Sequence, residues 1–131
     1  MDAPLSVEET INRIEDAVCD YYNVTMDMVR MKCRKRHIVE PRQVMMYLIK
    51  LSTNKTLEHI GEHLGGKDHT TVLHGCRTIL NLVETQHNMR EYIKSTISYL
   101  SLTPHDKSLV HSELFKGIIS KKVDKALSLA V

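Results

Sequence analysis

The sequence predicts an all-α fold: a helical bundle with a helix-turn-helix and an extra C-terminal amphipathic helix. Apolar residues recur at three- and four-residue spacing along nearly the whole chain, the period of a helix with one buried face. No stretch alternates with period two for long enough to suggest a sheet. Five glycines and three prolines in 131 residues leave little material for long loops, and 42% hydrophobic content argues for a folded chain. The length suits one domain with a modest core. Leu, Ile, Val and Met must fill that core, because there is no tryptophan and a single phenylalanine, Phe115.

The first helix is expected over 6–23. Ser6 and Glu9 form a capping box, and Val7, Ile11, Ile14, Val18 and Tyr22 form one buried stripe. Thr25 caps a shorter helix running through about Arg34, with Met28 and Val29 inward. Residues 32–40 show no clear period and read as a loop. Pro41 suits the first turn of the next helix, where its missing N–H is harmless. Val44, Met45, Leu48 and Ile49 then share one side, which leaves Arg42, Gln43 and Lys50 to solvent. Thr56 caps a helix over 57–64, stopped by Gly65-Gly66, and Asp68 caps another over 69–86. The latter buries Val72, Leu73, Cys76, Ile79, Leu80 and Val83. A helix from Asn88 to about Leu100 completes a domain drawn as 1–101. Residues 102–131 are expected to be a helical extension, punctuated by Thr103-Pro104. Leu109, Val110, Leu114, Ile118, Ile119, Val123 and Leu127 form its stripe.

The net charge of +2 conceals an asymmetry. Residues 1–20 hold six acids and one base, whereas residues 21–100 hold twelve bases and seven acids. The densest run, RMKCRKRHIVEPR at 30–42, has six Arg/Lys against Glu40 alone. Such a run is either a solvated charged turn or an anion-binding face, with a nucleic-acid backbone as the natural large polyanion. No run of about 18 apolar residues is present to span a membrane. An N-terminus that soon turns acidic argues against a signal peptide. Three widely spaced cysteines, Cys19, Cys33 and Cys76, suit a reduced cytoplasmic chain.

A short helix, a Gly-containing turn and a longer helix make up the helix-turn-helix pattern. In that motif the second helix enters the major groove and its first residues meet base edges. His69, Thr70 and Thr71 open this helix although all three are poor helix formers. They can hydrogen-bond to bases, and a threonine methyl can pack on the methyl of thymine. The helix start also favours a nearby phosphate.

The run PRQVMMYLIKLSTNKTLEHIGEHLGGKDHTTVLHGCR resembles the C-terminal DNA-binding domain family of the bacterial replication initiator DnaA. The signature around GGRDHTTVLHACR is long and specific, and this chain departs from it only at Lys67 and Gly75. AVCDYYNV and KCRKRHIVEPRQ resemble the family as well, so the likeness covers about 5–100. It implies that Asp68, His69, Thr70 and Thr71 read bases and that Arg34 enters the adjacent minor groove. It implies backbone contacts from Arg42, Gln43, Lys50, Thr53, Asn54 and Leu57. Val72 and His74 are further candidates on the same helix, Val72 at phosphate and His74 at the groove. His74 reads equally well as a half-buried packing histidine. Arg36 matches a family arginine and is counted with Lys67 among the phosphate contacts. Asp68 is expected both to cap the helix and to face DNA. The site implied is double-stranded DNA resembling the DnaA box, TTATNCACA.

Glu40 stands where the family commonly has a non-acidic residue and weakens the expected backbone contact. Lys67 keeps the charge of the family arginine but loses its bidentate fork. No GxxxxGK[ST] loop occurs, so no ATPase activity, other enzymatic activity or cofactor is expected. A free-standing binder and a piece of a larger initiator both fit, and the residues beyond Leu100 favour the first, with a tail that packs on the bundle or pairs with a second copy or a protein partner. Two other classes fit parts of the sequence. One is a helical protein–protein module using the acidic first helix or the tail. The other is a metal hydrolase built on the H-x-x-E-H pattern of His59, Glu62 and His63. Gly61 in mid-helix and the short chain weigh against the latter.

Overall fold

The computed structural model describes residues 5–111, and within them the fold is all-α, with six α-helices and no strand. Helix α1, Val7–Tyr22, begins where the Ser6 hydroxyl accepts the Glu9 N–H at 3.2 Å. It ends at Asn23, whose left-handed backbone (φ 54°) lets its N–H turn back to the Asp20 carbonyl. Helix α2, Met26–Arg30, is capped by Thr25 and stops four residues before the expected Arg34. The carbonyls beyond it are taken by a side chain from the next helix.

That helix, α3, spans Arg36–Ser52 and starts well before Pro41, so the segment read as a loop is helical from residue 36. The Lys35 carbonyl opens it by accepting the N–H groups of Ile38 and Val39, and buried Ile38 anchors the new turn. Pro41 lies in the second turn rather than the first. Its missing N–H removes one helical bond, the one that would reach the His37 carbonyl. Met45, Met46, Tyr47, Leu48, Ile49 and Leu51 are all essentially inaccessible, so α3 is buried nearly all round and forms the axis of the bundle. Helix α1 packs on it through Ile11, Ile14 and Val18.

Helices α4, Leu57–His63, and α5, His69–Thr85, pack against each other, and α5 also lies along α3. Val72, Cys76, Ile79 and Val83 form the buried stripe of α5, while Leu73, expected inward, is exposed. Helix α6, His87–Tyr99, follows with no side-chain cap and buries Met89, Ile93 and Ile97. The chain then folds back over the end of α3. The Asp106 N–H reaches the Leu51 carbonyl at 3.0 Å, and a 3₁₀ turn, Lys107–Leu109, places Leu109 in the core. Leu102 and Leu109 thus belong to the same hydrophobic core as α3, although both lie in the segment drawn as an extension. The tail stripe from Leu114 to Leu127 lies outside the described residues. No helix among the described residues is long and apolar enough to cross a membrane.

Candidate nucleic-acid interface

The turn between α4 and α5 is built from backbone. The Gly61 carbonyl accepts two N–H groups, from Gly66 at 3.0 Å and from Lys67 at 2.8 Å. Gly65 and Gly66 take φ of +97° and +79°, a region that disfavours any side chain. The reversal delivers Asp68, whose carboxylate accepts the Thr71 N–H at 2.8 Å and caps α5. That bond, made first by the Thr71 backbone, holds the Asp68 carboxyl below its ordinary range.

With the cap in place, His69, Thr70 and Thr71 stand exposed on the first turn of α5. His74 is exposed one turn on, so the packing alternative for it does not hold. Arg77, three residues further, extends the same exposed face, which sequence reasoning did not single out.

Beside this turn runs the loop between α2 and α3. Lys32, Arg34 and Lys35 are all exposed there. The dense basic run signals Lys32 and Lys35 as well as Arg34. Loop and turn touch directly. The Lys67 ammonium donates to the Met31 carbonyl at 3.4 Å, and Arg30 Nε donates to the His63 carbonyl at 3.1 Å. The Lys67 pKa is lowered, first by partial burial and then by the nearby charges of Arg42 and Lys32. Cations crowded in this way favour an anion beside them.

Several residues expected at this surface lie elsewhere. Arg42 is buried, with 7% of its surface exposed. Its Nε donates to the Val29 carbonyl at 2.7 Å and its two terminal nitrogens to Met31 and Cys33 at 2.8 and 3.1 Å. The expectation that it faces solvent is therefore corrected. Val72 is wholly inaccessible, because it starts the apolar stripe on which α5 packs. Thr53 is buried at the end of α3, where its hydroxyl donates to the Ile49 carbonyl at 2.7 Å. Lys50 is partly covered. Its ammonium donates to the Lys55 carbonyl at 3.2 Å and lies 3.9 Å from the Asp106 carboxylate. Gln43 and Leu57 are half-buried, and Asn54 is exposed.

Arg36, another expected phosphate contact, stands open to solvent, with its side chain 81% exposed. Its partner is Glu40, one turn along at 3.6 Å. Glu40 also acts on Tyr22, whose pKa is raised by burial and then by that carboxylate. The acid is thereby drawn toward the bundle rather than outward.

The two histidines of the H-x-x-E-H pattern serve the scaffold. His59 Nδ1 meets the Thr56 hydroxyl at 3.0 Å, and His63 Nε2 meets Glu15, a buried carboxylate on α1 that also lies 4.0 Å from Arg30. Glu15 therefore ties α1 to the ends of both α4 and α2. Its only sequence signal was its place four residues after Ile11, inside an apolar stripe.

The bacterial DnaA protein helix-turn-helix family matches residues 11–79. The chain is also similar to the chromosomal replication initiator protein DnaA of Flavobacterium psychrophilum, with 38% identity over 95 residues, 72% of this chain and 20% of that protein. The chain thus spans about a fifth of that relative's length. The matched segment contains α2, α3, α4, the turn and the exposed start of α5, and with that arrangement the chain belongs to the bacterial DnaA helix-turn-helix family.

Proposed function

We propose that this chain binds double-stranded DNA sequence-specifically, at sites resembling the DnaA box, and acts in replication initiation or its regulation without an ATPase of its own. The observation that carries the reading is the capped start of α5, with His69, Thr70 and Thr71 exposed, set directly beside the exposed cationic loop of Lys32, Arg34 and Lys35. A helix start so exposed suits the major groove, and an exposed arginine beside it suits the adjacent minor groove. Arg36, Lys67, Gln43 and Asn54 are left to meet phosphate, with the α5 N-terminus itself contributing N–H groups and dipole.

The test is a titration of labelled duplexes with the full chain. A box-containing duplex is expected to bind at least about tenfold more tightly than a scrambled one. Affinity for both should fall steeply as salt rises, because bound cations release counterions from the duplex. Equal affinity for the two duplexes at low and moderate salt would overturn sequence-specific binding.

A further inference from the structure

We infer that Arg42 is a positioning residue, which sets the loop carrying Arg34 for its place on DNA instead of holding a phosphate itself. The inference rests on the DNA-binding reading above. Its basis is the set of partners that the guanidinium has chosen. Arg42 reaches from α3 to the carbonyls of Val29, Met31 and Cys33, and all three are backbone. Helix α2 ends at Arg30, and Met31 beyond it is extended (φ −67°, ψ 156°). Arg42 thus takes one carbonyl from the last turn of the helix and two from the chain that leaves it. The carbonyl of Arg30, between them, faces the other way, 2.2 Å from where a Cβ on Gly65 would stand. The segment is threaded between the Arg42 fork on one side and the helix-turn-helix turn on the other.

The loop needs such a hold. Lys32, Arg34, Lys35 and Arg36 crowd four positive charges into five residues and repel one another. Left unheld, the loop would have to be ordered by DNA at the moment of binding, at a cost in affinity. A guanidinium supplies donors in a fixed planar fork that can span three acceptors, whereas an ammonium is a point charge that cannot. Lysine at this position would keep the charge and lose the clamp, and this separates a positioning role from a phosphate contact.

The experiment uses the full chain and four proteins: the parent, Arg34→Ala, Arg42→Lys and the double variant. Affinity is measured for the box duplex, with thermal unfolding of each protein alongside. Arg42→Lys and Arg34→Ala are each expected to weaken binding by about tenfold. The double variant should be little weaker than either alone, because both changes disable one contact. The parent and Arg42→Lys should show the same dependence of affinity on salt. Near-parental binding by Arg42→Lys, or multiplied losses in the double variant, would overturn the inference.

Should Arg42→Lys fail to fold, the parent chain decides through the NMR signal of the Arg42 Nε–H. That signal is expected to exchange slowly with solvent in the free protein and to keep its shift when duplex is added. Fast exchange, or a large shift on adding DNA, would overturn the clamp. A parent that binds box and scrambled duplexes alike fails the sequence-specific reading alone. The same four-protein comparison on either duplex, with the Nε–H signal, still judges Arg42.

Discussion

A Cβ on Gly61 would stand 1.9 Å from the carbonyl oxygen of Lys67. The backbone of the turn occupies the space where any other residue of α4 would put its side chain. In an open helix, glycine is about 0.5–1 kcal/mol worse than alanine, so Gly61→Ala would ordinarily stabilise. Here the obstacle is backbone, and it cannot rotate away as a side-chain tip would. Gly61→Ala is expected to lower stability by about 1–3 kcal/mol, the range for forced overpacking, read as a lower midpoint of urea unfolding. An unchanged or higher midpoint would mean that the turn relaxes freely. Binding to the box duplex should fall with it, since the same turn aims the start of α5.

The α5 cap gives acid stability a definite sign. The Asp68 carboxyl titrates below its ordinary 3.8 because the Thr71 N–H favours the charged form, and Asp106 is lowered likewise, first by the Ser108 hydroxyl. The folded values lie under the unfolded ones, so the unfolded chain binds more protons between them. Stability from these caps is present above about pH 4 and is lost as pH falls through the folded values. A denaturation series from neutral to strongly acidic pH should show the fall. Asp68→Asn with Asp106→Asn should make it shallower. An identical pH profile in that double variant would exclude these two carboxylates as its source.

Base reading and phosphate contact predict different mutant behaviour. His69→Ala or Thr70→Ala should each cost about 1–3 kcal/mol on the box duplex and much less on scrambled DNA. Arg36→Ala should weaken both duplexes alike and reduce the slope of affinity against salt by about one charge. Its side chain is 81% exposed, and among the described residues its ion pair is the 3.6 Å contact to Glu40. Glu40→Gln should then strengthen binding to both duplexes slightly. Binding curves across a salt series separate these outcomes, and a sequence-selective loss in Arg36→Ala would contradict its placement at the backbone.

Much of the scaffold was legible because caps are local. Ser6, Thr25, Thr56 and Asp68 each accept an N–H three residues on, a relationship that spacing alone discloses. The start of α5 was legible for the same reason. The site residues that moved were governed by distant partners. Arg42 was assigned to solvent on the premise that α3 has one apolar side, but α3 is the axis of the bundle and has almost no outward side. Its charge is satisfied by carbonyls nine to thirteen residues away in sequence, which no periodicity encodes. Glu15 was obscured in the same way, since its partners His63 and Arg30 lie on other helices. Val72 was legible as core from its stripe, and it was the family resemblance that placed it at phosphate.

The segment after α6 offers a final test of how far the folded unit extends. The Tyr47 hydroxyl, wholly buried on α3, donates to the Leu109 carbonyl at 2.9 Å across 62 residues of sequence. Tyr47→Phe keeps the ring and leaves that buried carbonyl without its donor, at a cost of about 1–3 kcal/mol. Leu109→Ala removes a core side chain and should cost about 2–3 kcal/mol, toward the lower end for leucine because 7% of its surface remains exposed. If residues 102–111 belong to the cooperative unit, both variants should lower the single unfolding midpoint seen by helix content. The pair should also combine for less than the sum of their separate losses, because each loosens the same strap. A midpoint unmoved by Leu109→Ala would instead make the strap an appendage that opens on its own before the bundle does.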